Sequence, residues 1–109
     1  MIIAIDFDGT ITKTHEYPAV GKINEKAIEV LKKLQQKGHI LCLWTCREGK
    51  ELHDAVKSLY DEGIIFDYIN NAPYSESRRK IVADIYIDDR NFGGFNWDDV
   101  EKELCKNEL

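Results

Sequence analysis

The chain has 109 residues, 43% hydrophobic and 32% charged, the proportions of one globular domain rather than of a disordered or low-complexity segment. Twenty acidic against fifteen basic side chains leave a net charge of -5, which argues against nucleic-acid phosphate as the main partner. No apolar run approaches the length of a membrane span, no secretory leader is visible, and the odd set Cys42, Cys46 and Cys105 fits reduced thiols, so the expected compartment is the cytoplasm.

The apolar run Met1 to Ile5 reads as a strand buried on both faces. It ends in Asp6, Phe7, Asp8, Gly9 and Thr10. Alternation of side chains puts Asp6 and Asp8 on one side and Phe7 on the other, in apolar packing. Two like charges so close call for a cation, and a hard divalent ion with oxygen ligands is the natural candidate. Asp-x-Asp-Gly also suits a plain strand-to-turn junction, so the later strand ends must decide between the two.

Ile11 to Ile23, with His15, Tyr17, Pro18 and Gly21, reads as a loop over that strand end and a candidate site wall. Asn24 caps a helix that stops at Gly38, with Ala27, Ile28, Leu31 and Leu34 on its apolar side. A second strand, His39 to Trp44, ends in Thr45, Cys46 and Arg47, just before a helix predicted over Glu48 to Glu62. There a hydroxyl and unpaired backbone N–H groups can hold an anion. A thiolate phosphatase built on Cys46 would need an arginine six residues on, where the chain has Leu52. Ile64 to Ile69 predicts a third strand, interrupted by Asp67, followed by a polar loop from Asn70 to Ser77. The basic run Arg78, Arg79 and Lys80 leads to a fourth strand, Ile85 to Ile87, that ends in Asp88, Asp89 and Arg90. Phe92 to Phe95 reads as a turn and Trp97 to Lys106 as a closing helix.

Alternation of strands and helices predicts an α/β architecture: a Rossmann-like, three-layer parallel sheet of about four strands, helices on both faces, right-handed crossovers. In such sheets the ligand site lies beyond the carboxyl ends of the strands. Asp6, Asp8, Thr45, Asp88 and Asp89 would meet there.

These residues resemble the four motifs of the haloacid dehalogenase-like superfamily: DFDGT after an apolar strand, LWT closing the second strand, a lysine upstream of the fourth and IDD closing it. The resemblance implies a magnesium-dependent phosphotransfer enzyme, usually a phosphatase. Asp6 would be the nucleophile that forms an aspartyl-phosphate, and Asp8 the acid and base. Thr45, with Cys46 beside it, would bind the phosphoryl oxygens, and Lys80 would bind there too and steady the charge of nucleophile and phosphate in catalysis. Asp88 would hold the metal with Asp6 and the backbone carbonyl of Asp8, while Asp89 would support the metal shell or Lys80, with Gly9 and Thr10 as further support. An aspartate at position 8 disfavours carbon–halogen cleavage, because a departing halide needs no proton.

Neither Asp8 to Asn24 nor Thr45 to Lys80 has room for an inserted cap domain, so the site is expected to be open. Its substrate would then be a phosphate carried on something large, or a small molecule screened by a second copy in a homo-oligomer. His15 and Tyr17 would form the local wall. Two other classes share this pattern. A phosphoacceptor receiver module expects an aspartate at the end of the third strand, where the chain has Ile69, Asn70 and Asn71. A catalytically idle binding domain on the same fold differs only in turnover.

Overall fold

A computed structural model describes residues 1–75 and 80–106; Arg78 and Arg79 of the basic run lie outside these. Four parallel strands, β1 (Ile2–Ile5), β2 (Ile40–Leu43), β3 (Tyr68–Ile69) and β4 (Ile85–Ile87), form one sheet in the order β3-β2-β1-β4. The helices are α1 (Glu25–Gln36), α2 (Gly49–Asp61) and α3 (Trp97–Leu104). In register, Ile3 pairs with Leu41 on one side and Ile85 on the other, and Ile5 with Leu43 and Ile87. No helix among the described residues is long and apolar enough to cross a membrane.

Register and alternation divide the core between the faces of the sheet. Ile3, Ile5, Leu41, Leu43 and Ile87 point to one face, where they pack with Ala27, Leu31 and Leu34 of α1, Ala55 and Leu59 of α2, and Trp97 of α3. Ala4 and Cys42 point to the other, against Ala72, Ile81 and Tyr86. The helices expected on both faces thus gather, among the described residues, on one. The cause is connectivity. The steps from β1 to β2 and from β2 to β3 run in one direction, so right-handed crossovers place α1 and α2 on the same side. The return from β3 to β4 must cross the opposite face, and the described parts of that crossing, around Ala72 and Ile81, are irregular chain.

Local chemistry sets the element ends. The Asn24 side chain accepts hydrogen bonds from the backbone N–H groups of Lys26 (3.0 Å) and Ala27 (3.4 Å), and Asn96 caps α3 in the same way. The third strand is shorter than predicted because its first residue belongs to a helix stop. Gly63 takes a positive φ of 83° after α2, and the Ile64 N–H returns to the Leu59 carbonyl at 2.9 Å. Asp67 then exchanges two bonds with Leu41, its backbone N–H to the Leu41 carbonyl (2.9 Å) and its carboxylate to the Leu41 N–H (2.9 Å). A side chain thereby takes the place of a backbone acceptor at the mouth of the β2–β3 ladder.

Leu31 has no exposed surface, so Leu31→Ala should cost about 2–5 kcal/mol in denaturant unfolding. Asn24→Ala should cost about 1 kcal/mol, the value of one cap. An Asn24 loss equal to that of Leu31 would mean that Asn24 does more than cap α1.

Candidate active site

Backbone ladders that outrun their strands place the site. The Asp6 N–H donates to the Ile87 carbonyl (2.9 Å) and the Trp44 N–H to the Ile5 carbonyl (2.8 Å), so the chain ends after β1, β2 and β4 stay side by side. Beyond Phe7 the backbone turns tightly: the Phe7 carbonyl accepts from Thr10, Ile11 and Thr12 at 2.9–3.2 Å. Phe7 itself is fully buried in the helix-side core, as its place between two outward aspartates predicts. Above these ends lies an open cleft of about 480 Å³, lined on its floor by Asp6, Asp8 and Asp88 and on its walls by His15, Tyr17, Thr45, Cys46, Arg47 and Arg90.

Three of the sequence-predicted acids converge. Asp6, Asp88 and Asp89 each offer an oxygen within 4.8 Å of the other two. Thr10, almost fully buried, organises them: its hydroxyl accepts from the Asp89 backbone N–H (3.0 Å) and faces Asp6 Oδ2 (3.2 Å) and Asp89 Oδ1 (3.1 Å). The Trp97 indole N–H holds the Thr10 carbonyl at 2.9 Å and so ties α3 to the site. His15 Nε2 lies 2.9 Å from the other Asp89 oxygen. Gly9 makes that approach possible. It has a φ of +78°, and a Cβ there would stand 2.7 Å from Asp89 Oδ2 and collide with the His15 ring.

Burial, and then the neighbouring Asp88 charge, push the Asp6 carboxyl up to about 7. Burial acts the same way on Asp89, but hydrogen bonds from His15 and Thr10 outweigh it and hold that carboxyl below its ordinary value. A crowded set of hard oxygen donors, one of them reluctant to ionise without a counter-charge, suits a hard divalent cation such as Mg²⁺. Asp6, Asp88 and Asp89 are the residues that would hold it.

Asp8 stands apart from this trio. Its two carboxylate oxygens accept from Arg47 Nε (2.8 Å) and from the Nη2 of the same guanidinium (2.7 Å), a bidentate pair. Arg47 is 1% exposed. The pairing was not foreseen from the sequence, where Arg47 stood only as the end of a strand motif. Asn70 was missed as well: its side-chain oxygen accepts the Thr45 backbone N–H at 2.8 Å. The signal for both was position, since each follows the carboxyl end of a strand. Thr45 does not cap α2, which starts four residues later at Gly49; its hydroxyl accepts the Arg47 N–H (3.1 Å) in a local turn and faces the cleft. Cys46 is exposed on the cleft wall beside it. Lys80 does not line the cleft; its ammonium lies 4.8 Å from the centre of the Tyr86 ring.

The displaced Asp6 titration has a stability consequence. A carboxyl that keeps its proton up to about pH 7 in the folded chain, against 3.8 for the ordinary group, favours folding at low pH. That advantage erodes as pH rises from 3.8 to about 7, where the unfolded chain has ionised and the folded one has not. Metal-free protein should therefore lose stability across this window, and Asp6→Asn should flatten the loss. Added Mg²⁺ should raise the melting temperature more at pH 8 than at pH 5.5, because the cation takes the ionised carboxylate. Equal shifts at both pH values would contradict this account.

The profile of the haloacid dehalogenase-like hydrolases matches residues 3–93. A solved structure described as that of a conserved protein from Bacteroides thetaiotaomicron superposes with a TM-score of 0.86 and is 41% identical, covering 98% of this chain and 93% of that one. Comparison with curated proteins returns no match. The four-stranded parallel sheet, the strand-end acids and the span of the family match lead to one conclusion: this chain belongs to the haloacid dehalogenase-like hydrolases.

Proposed function

We propose that this hydrolase is a magnesium-dependent phosphatase that acts on a phosphomonoester through an aspartyl-phosphate on Asp6. The observation that carries the reading is the division of labour in the cleft. Asp6 sits in the acidic trio, while Asp8, two residues on, faces the same cleft with a separate partner. Magnesium held by Asp6, Asp88 and Asp89 would offset the repulsion between a carboxylate and a phosphate dianion. An Asp6 oxygen would then attack phosphorus as the bond to the leaving oxygen breaks; Asp8, whose two oxygens both accept from Arg47, would take up a proton from solvent on one of them as substrate binds, keep the other on the guanidinium, and deliver that proton to the leaving oxygen. In the second half a water would attack the phosphorus, give its proton to Asp8 and release Asp6 with inorganic phosphate. Thr45 and Arg90, both on the cleft wall, would meet phosphoryl oxygens. The end of β3 favours no receiver module, because Asn70 there is spent on the Thr45 backbone.

Lys80 enters through the family resemblance. Its ammonium rests on the Tyr86 ring and not in the cleft, so its part in holding phosphate is proposed from that resemblance. The cleft also lacks a cap domain among the described residues, which suits a phosphate on a large carrier or a small substrate screened by a second copy. His15 and Tyr17 are the residues on its open side that would touch such a leaving group.

Asp6→Asn should abolish turnover by several orders of magnitude, within the ~10⁶–10¹⁷-fold that enzymes typically supply, and chelation of divalent ions should do the same. The measurement is phosphate release over a panel of phosphomonoesters; undiminished release by either preparation would refute the mechanism. In the same assay Lys80→Ala should lower kcat strongly with an unchanged melting temperature. A Lys80→Ala enzyme with wild-type kcat would remove Lys80 from the site.

A further inference from the structure

We propose that Arg47 is the positioning residue for Asp8, and that one guanidinium locks the proton-transfer group to the loop that walls the leaving-group side. The inference rests on the phosphatase reading above. Removing a guanidinium from water is costly unless every donor is paired, and here all five N–H groups are. Nε and one Nη2 hydrogen hold Asp8 (2.8 and 2.7 Å), and the other Nη2 hydrogen goes to the Ala19 carbonyl (2.6 Å). Nη1 serves the carbonyls of Pro18 (3.1 Å) and Glu51 (3.2 Å). The faces of the group are covered too, with Phe7 at 5.3 Å and Tyr17 at 5.2 Å from the guanidinium carbon to the ring centres.

Two conclusions follow from this saturation. A guanidinium with no donor left and 1% exposure has nothing to offer a phosphate, so Arg47 does not act as a substrate clamp. Its influence on chemistry passes through what it holds: Asp8 on the floor, residues 17–19 on the wall and the first turn of α2 behind. Lysine keeps the charge but has three donors and no planar fork, and so cannot hold Asp8 by both oxygens and the loop together.

The test compares two substrates that differ in their need for Asp8. An alkyl phosphate such as glycerol phosphate expels an alkoxide that must be protonated, whereas p-nitrophenyl phosphate releases a stable phenolate. Arg47→Lys should lower kcat on the alkyl phosphate by about 10²-fold or more, the scale of general acid catalysis, with KM within about threefold. The first-turnover release of p-nitrophenolate should change by less than about threefold. In an Asp8→Asn background the same substitution should add no further loss. Should Arg47→Lys fail to fold, Phe7→Leu, a smaller change at the buried ring on the other face of the guanidinium, should give the same substrate-selective pattern at roughly 3–10-fold. Equal losses on both substrates, losses that multiply with Asp8→Asn, or a rise in KM alone would overturn the proposal. A wild-type enzyme that turns over neither substrate would instead refute the phosphatase reading, and this inference with it.

Discussion

Three carboxylates within 4.8 Å of one another are the constraint around which this domain is arranged. Like charges at that spacing oppose the fold wherever they are ionised together, and the surroundings answer this in different ways for Asp6 and for Asp89. Asp6 meets the cost by holding its proton more tightly. Asp89 is drawn the other way by Thr10 and His15, which supply hydrogen bonds to the ionised form. Neighbouring groups of the same chemical type therefore have separate preferences before any ligand binds. Such divergence is a mark of catalytic carboxylates.

Asp8 illustrates the same principle with a different device. It is two residues from Asp6 and shares its cleft, yet a buried guanidinium rather than the acidic trio sets its environment. Buried ion pairs are weak evidence for stability, because desolvation consumes much of their attraction. Their value lies in geometry: a fork with five committed donors has one way to sit. Here that arrangement joins the end of β1, the loop after it and the start of α2.

Support for the site comes from all the layers around it. Trp97 reaches from α3 to the Thr10 carbonyl, Asn70 from the end of β3 to the Thr45 backbone, and Gly9 leaves the space that His15 needs. A short chain without a cap domain among its described residues thus obtains a walled cleft from one loop. The wall is held by His15 on Asp89 and by the Pro18 and Ala19 carbonyls on Arg47.

Much of this was legible in the order of residues. Four short apolar runs, the third interrupted by Asp67, identified the strands; Asn24 and the glycine stops bounded the helices; and acids at the ends of the first and fourth strands marked the site, because a parallel sheet brings all such ends to one edge. Local pattern could not show what depends on partners distant in sequence. The third strand shrank because Ile64 completes a helix stop and Asp67 answers the backbone of Leu41, and the helices fell on one face because strand order, not strand identity, decides the side of a crossover. Arg47 reads in sequence as an ordinary cation near a helix start. Only the tertiary structure, by closing a sequence separation of 39 between it and Asp8 and burying it between Phe7 and Tyr17, made it the hub of the cleft. Pairing and burial depend on who the neighbours are, and neighbours across a sheet are set by the fold.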